Sequence, residues 1–287
     1  MLFKALREKR SLIRNGIGIY CPIGYMGVMK TKRSTQVIIS LTSHPGRIDV
    51  VHKTIISLLN QTEKPDRIIL WLANEQFRNR ELDLPKRLLL LTNHGLEIKW
   101  YKDIRSYKKL IPTILCFPNE IIVTVDDDWY YHKTMLEVLL LEHSIHPTEI
   151  ISSEVTHPFF NENGYFVSSH STVNYNGKAS FYNKLLGGTG TLYPPNALDK
   201  EVFKEERFLA LAPTNDDIWF WAMAVKNGTK IRVPENPVHP FAMTAPEIQR
   251  ANSLDSINSS QNLYIETTNK IFEFYPEIKE RLLQAEE

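Results

Sequence analysis

A chain of 287 residues, 43% of them hydrophobic, can bury a full core, as two small domains or as one large α/β domain. Its net charge of +1 argues against wholesale nucleic-acid binding. Two cysteines, Cys21 and Cys116, are too few for a disulfide framework and have no histidines at zinc spacing, so a reducing cytosol is the natural compartment.

The first thirty-five residues are unbalanced: Lys4, Arg7, Lys9, Arg10, Arg14, Lys30, Lys32 and Arg33 face a lone acid, Glu8. Interleaved with Leu2, Phe3, Leu6, Leu12 and Ile13, they read either as a basic arm touching anionic lipid headgroups or as a solvated terminus. No secretory signal is expected, because an uninterrupted apolar stretch and a small-residue cleavage site are both missing. The longest apolar runs, Leu88 to Leu91 and Val138 to Leu141, are far too short to span a bilayer.

From Gln36 onward, short β-branched runs alternate with helical patterns, the signature of a mainly parallel sheet with crossover helices. Val37 to Leu41 is the first predicted strand, leaving through Thr42-Ser43-His44-Pro45-Gly46-Arg47 to a helix from Asp49 to Asn60. Arg67 to Leu72 is the second strand, Leu84 to Thr92 a helix, and Leu96 to Tyr101 the third strand. Ser106 can cap a helix from Tyr107 to Phe117, whose middle is interrupted by Pro112. Further on come a helix Lys133 to His143, a strand Glu149 to Val155, a polar stretch His157 to Asn183, and a glycine-opened strand Gly187 to Tyr193. A helix Ile218 to Lys226, a strand Lys230 to Val233 and a terminal helix Leu263 to Gln284 broken at Pro276 complete the pattern. No internal repeat and no glycine-rich phosphate loop is present.

Before the helix at Lys133, Ile121-Ile122-Val123-Thr124-Val125 stops in Asp126-Asp127-Asp128. A buried strand that releases clustered acids at its C-terminal end puts a hard-cation site where open α/β sheets bind ligands. The competing reading is a charged turn, but three adjacent like charges repel unless something positive sits among them. Strand alternation would put Asp126 and Asp128 on one side and Asp127 away from them, with Asp128 as direct ligand and Asp126 as ribose or water-mediated partner. The triple aspartate leaves that register open by one residue.

Four features occur in order: a strand ending Ser40-Leu41-Thr42-Ser43, the segment Asp103-Ile104-Arg105-Ser106-Tyr107-Lys108-Lys109-Leu110-Ile111-Pro112, the Asp126–Asp128 tip, and Asn215-Asp216-Asp217 opening a helix. With Leu58-Leu59-Asn60-Gln61-Thr62, Lys64-Pro65-Asp66 and Ile69-Leu70-Trp71-Leu72, the chain resembles the GT-A nucleotide-sugar glycosyltransferases from Gln36 to His239. The likeness is to the bacterial family-two-like enzymes that build capsule and lipopolysaccharide sugars. The resemblance implies a GT-A-like α/β fold at 36–245, between the arm at 1–35 and a helical extension at 246–287.

It also implies site residues. Thr42, Arg47 and Asp103 would hold base and ribose, against readings as a loop hydroxyl, a surface ion pair and a turn acid. Lys108 and Lys109, in a helix's first turn where the macrodipole opposes cations, would serve the diphosphate, against an exposed charged face. Asp126 and Asp128 would hold Mn2+ or Mg2+, joined by His239 after the last strand, against a structural histidine between prolines. Gly187, Gly188 and Gly190 would let the backbone approach the donor or acceptor, against a plain bulge, and Trp129, Tyr130 and Tyr131 would stack on a sugar ring, against an aromatic core. Of the acid pair, Asp217 would be the general base and Asp216 its companion, although this chain has aspartate where the family usually has glutamate first. An Asn-Asp helix cap with an aromatic core behind it is the bland reading.

The expected activity is sugar transfer, of hexosyltransferase type, from a nucleotide-diphosphate donor, with UDP as the expected nucleotide, to a saccharide or lipid-linked acceptor, with inversion. It would act in the cytoplasm, touching the inner face of the membrane through the arm, and without nucleic acid. The rivals are another metal-dependent phosphate enzyme, a nucleotidyltransferase or phosphohydrolase, and a non-catalytic carbohydrate-binding protein.

Overall fold

The β-branched runs pair into one sheet in a computed structural model, which describes residues 9–14, 18–22, 24–161, 166–169, 175–248, 258 and 262–285. Strands β1 (Val37–Thr42), β2 (Arg67–Ala73), β3 (Leu96–Tyr101) and β4 (Ile121–Thr124) lie parallel in the order β3-β2-β1-β4. Helices α1 (Val51–Leu59), α2 (Lys86–Leu89) and α3 (Ile111–Cys116) fall in the crossovers. Beyond β4 the chain contributes β5 (Trp129–Tyr130), α4 (Met135–Ile145), β6 (Ile150–Ser152), β7 (Val155–Phe160), β8 (Phe166–Ser169), β9 (Ala179–Ser180), β10 (Lys184–Leu185) and β11 (Thr191–Tyr193). Then follow α5 (Glu205–Leu211), α6 (Asp216–Asn227), β12 (Ile231–Arg232), β13 (Ala242–Met243), α7 (Leu263–Phe274) and α8 (Pro276–Gln284).

The main sheet has eight strands, β3-β2-β1-β4-β11-β6-β12-β9, with β11 antiparallel to both of its neighbours. It is therefore a mixed, mostly parallel α/β sheet, the class expected of a GT-A-like chain. After β1 the chain builds β2 and β3 on one side and returns to β4 on the other. The carboxyl ends of β1 and β4 thus form a topological switch point, where open α/β sheets bind ligands.

Alternation fills both faces. Val37, Ile39, Leu41 and Val123 pack with Val51, Ile55, Leu58 and Leu59 of α1 and with Met135, Leu136 and Leu139 of α4. On the other face Ile122 and Tyr193 pack with Tyr107 and with α6, whose Ile218 to Val225 are all buried. A helix apolar all round has to be a core helix, and α7 and α8 cover it with Ile271, Phe272, Ile278 and Leu282. The 246–287 extension thus supplies part of the domain core, and Pro276 opens α8 as expected of proline in a first helical turn.

Several segments differ from the sequence reading, two of them beside the site or the arm. The expected helix Tyr107–Phe117 divides into a 3-10 turn, Arg105–Lys109, and α3, because Pro112 has no N–H and sits in the first turn of the shorter helix. The basic arm is not separate throughout: within 18–35, Gly27 N–H donates to His94 O at 2.8 Å and Met29 N–H to Pro65 O at 2.9 Å. Lys4, Arg7, Leu2, Phe3 and Leu6 lie outside the described residues.

Asp66 clamps this segment to the sheet. Its buried carboxylate accepts from Arg33 N, Arg33 Nη1 and Val37 N, each at 2.8 Å. Burial pushes its pKa up, but these donors outweigh it and hold the group below its ordinary value. Its stabilisation is therefore present above the unfolded carboxylate value and fades as the pH falls through the lower folded one. Asp66→Asn is expected to cost about 2–3 kcal/mol in urea melts at neutral pH, and less on acidification.

Candidate active site

Four segments meet at the switch point: the loop after β1, the 3-10 turn before α3, the acids after β4 and the N-terminus of α6. The acids do not continue the strand. β4 ends at Thr124, so the alternation that would face Asp126 and Asp128 together stops before it reaches them. Asp127 and Asp128 instead share Arg47, whose Nη1 is 2.8 Å from Asp127 Oδ1 and 2.8 Å from Asp128 Oδ2. Ser43 Oγ donates to Asp127 Oδ2 at 2.5 Å. Asp126 turns to Lys109, whose Nζ donates to its Oδ1 at 3.0 Å.

Lys109 is the hub of the site. Its Nζ is also 3.0 Å from Asp216 Oδ2 and 3.5 Å from Asp217 Oδ1, and only 4% of its side chain is exposed. Burial alone would discharge it, but three carboxylates hold the ammonium well above its ordinary value. Lys108, equally buried, turns the other way, donating to Asp103 Oδ1 at 2.7 Å and to Arg105 O at 2.8 Å. The exposed charged face considered for the pair is therefore absent, since the short turn packs both lysines inward.

Asp216 and Asp217 sit in the first turn of α6. Asn215 does not cap that helix with its side chain; it reaches instead toward Thr214, Asn258 and Thr267. Ser106, expected as a helix cap, donates to Asp216 Oδ1 at 2.8 Å. Asp217 Oδ1 is buried without a hydrogen-bond partner, while its side chain as a whole keeps 29% of its surface. Desolvation pushes this carboxyl up to about 7, with Lys109 opposing and Asp216 and Asp126 adding to the rise. The sequence left that direction open, because dipole and burial act in opposite senses.

The glycines are walls. A Cβ at Gly188 would lie 1.9 Å from Asp126 Oδ2, and one at Gly187 would lie 2.7 Å from Asp217 Oδ1. Only bare backbone lets both carboxylates approach. Tyr131 locks this wall to the acid loop, its hydroxyl accepting from Asp126 N at 2.8 Å and donating to Gly188 O.

The donor set fits a divalent cation. Asp126, Asp127, Asp128, Asp216 and Asp217 share Arg47 and Lys109, which leaves negative charge in surplus. Burial and the neighbouring acids push Asp128 up to about 7, and its Oδ1 is buried with no hydrogen-bond partner. Asp126 keeps 41% of its side chain open. Among the described residues no three His, Cys, Asp or Glu side chains form a ready cation cage, so an ion here would complete its shell from substrate oxygens and water.

His239 does not join that set. Its Nδ1 lies 3.7 Å from Glu154, which raises its pKa and is its first partner, on an exposed stretch between prolines. Thr42, the last residue of β1, donates from Oγ1 to Trp71 O of the paired strand β2 at 2.9 Å and not to its own loop backbone. Asp103, partly exposed, accepts from Lys108, Gln76 and Arg105 N. Sequence reasoning missed Ser43 and Lys184 as site residues, and it expected Tyr131 in the core or stacked on a sugar ring, whereas its buried hydroxyl ties the acid loop to the glycine wall. That lysine is buried beneath the Tyr264 ring at 5.2 Å, and burial lowers it to about 8 against the pull of Asp217. Nothing in the local pattern around Lys184 distinguishes it from a surface lysine of an edge strand.

No family model matches the chain, and no curated protein matches it. Among solved structures, it is similar to residues 1–349 of S. aureus TarS at 12% identity and a TM-score of 0.45, covering 84% of this chain and 72% of that one. A likeness of this size assigns no chemistry to either protein.

Gly188→Ala is expected to displace Asp126, because the clash is with a carboxylate held by Lys109 on a loop whose Asp126 N–H is held by Tyr131. Calorimetric titration with Mn2+ should then show affinity at least about tenfold weaker, with the circular-dichroism spectrum unchanged.

Proposed function

We propose that the chain is a metal-dependent glycosyltransferase that moves a sugar from a nucleotide-diphosphate donor to a saccharide or lipid-linked saccharide acceptor. The observation that supports this best is that Lys109 joins Asp126, whose loop also carries Asp128, to Asp217, a carboxylate with a neutral-range pKa. Donor activation and proton removal need a cation-holding acid and a proton-accepting acid side by side.

In this reading Asp126 and Asp128 hold Mn2+ or Mg2+, which supplies charge neutralisation at the departing diphosphate when bound. Arg47 keeps the acid loop ordered against β1. Asp217 takes the proton of the acceptor hydroxyl while that oxygen bonds to the anomeric carbon, and the electron pair of the breaking C–O bond leaves on the nucleoside diphosphate. Attack from the face opposite the leaving group inverts the centre. Asp217 suits the task because its Oδ1 has no competing hydrogen bond and its pKa lies near the working pH. Asp103, partly exposed, is the acid proposed for the ribose. A cytoplasmic site of action, with the basic arm touching the membrane, belongs to the same proposal. Among the described residues no helix is long and apolar enough to cross a membrane.

A thermal-shift panel of nucleotide sugars with and without Mn2+ tests the donor half. One donor should stabilise the protein only with the ion, and silence across the whole panel would count heavily against the assignment. For the acceptor half, Asp217→Asn should lower kcat about 10²–10⁴-fold with donor affinity kept. In the unaltered enzyme, kcat/KM for the acceptor should rise as the pH passes through about 7, because only the carboxylate form accepts a proton. A flat profile there would remove Asp217 from the role.

A further inference from the structure

An ammonium has three N–H donors, and Asp126, Asp216 and Asp217 surround that of Lys109 at 3.0, 3.0 and 3.5 Å. The three are not equally free. Asp216 is buried and held on its other oxygen by Ser106, and Asp217 lies against the backbone of Gly187. Asp126 is the most open of them, and it stands on the loop that carries Asp128, whose buried Oδ1 has no hydrogen-bond partner.

We propose that Lys109 is a positioning residue that couples cation capture to the acceptor-side acids. With no cation bound it holds Asp126; an incoming divalent ion takes Asp126 over, and the released ammonium is drawn onto Asp216 and Asp217. The exchange replaces a singly charged partner of Asp126 with a doubly charged one, and moves a positive charge toward the carboxylate that faces the acceptor. Gly187 permits it, since the position its Cβ would occupy is 2.7 Å from Asp217 Oδ1 and 3.5 Å from Lys109 Nζ. The coupling rests on the transferase reading for its cation, but not on which sugar or acceptor is used.

The test is a double-mutant cycle read on Mn2+ affinity, from the free-ion paramagnetic resonance signal of the full chain without donor. Lys109→Met should tighten Mn2+ about tenfold or more, by freeing Asp126. Asp216→Asn should weaken it about three- to tenfold, because Lys109 then holds Asp126 harder, and this effect should vanish when Lys109 is absent. An equal Asp216→Asn factor in both backgrounds would mean plain charge attraction and would overturn the coupling. Should Lys109→Met fail to fold, the unaltered chain decides. With 15N-labelled lysine, the slowly exchanging Lys109 ammonium resonance, assigned by its loss in Lys109→Arg, should move in step with Mg2+ binding. Binding with that resonance unmoved overturns the proposal. Absence of cation binding in every form removes the metal-dependent reading itself, and the coupling with it.

Discussion

The site depends on one electrostatic imbalance: more carboxylates are gathered at the ends of β1 and β4 than the protein supplies cations to neutralise. Arg47 and Lys109 are the two cations, and each is shared. Bringing like charges together in a dry place costs free energy unless something positive enters or a proton is taken up. That cost is visible in Asp128 and Asp217, both pushed into the neutral range. A structural ion-pair network would match its charges, and this one retains a deficit of positive charge.

The rest of the fold serves to hold the imbalance in place. Each acid sits at the end of a different rigid piece. The loop after β4 is tied to the loop after β1 through Arg47 and Ser43, and to the glycine wall through Tyr131. α6 is held in place because Ile218 to Val225 are buried between the sheet and the helices α7 and α8. The turn carrying Lys109 leads into α3, whose Thr113 hydroxyl meets Ser40 of β1 and Trp71 of β2 at 2.7 Å each. Crowding of charge is tolerated where hydrophobic packing leaves the acids no route apart.

Much of the fold could be read in advance, for a simple reason. β1, β2 and β3 were predicted to within a residue, because period-two apolar patterns and their bounding turns are local signals. α6 and its stop at Asn227-Gly228 were readable for the same reason, Gly228 taking the left-handed conformation that ends the helix. The short, broken elements between β6 and β11 were not, because they are shaped by long-range pairing. The single strand expected over Glu149–Val155 divides between two sheets, and the one expected over Gly187–Tyr193 begins as a 3-10 turn.

The sequence by itself marked which acids gather at the site, through an apolar strand running into Asp126-Asp127-Asp128 and an Asn-Asp-Asp step into an aromatic helix. It also marked Lys108 and Lys109 as cations near them. Only the tertiary structure decided the partners. Lys109 faces three acids while Lys108 faces Asp103, Arg47 is claimed by the acid loop, and His239 goes to Glu154. The physical reason is that a side chain's burial follows from local pattern, whereas its charge partner lies up to about a hundred residues away and is chosen when the sheet closes.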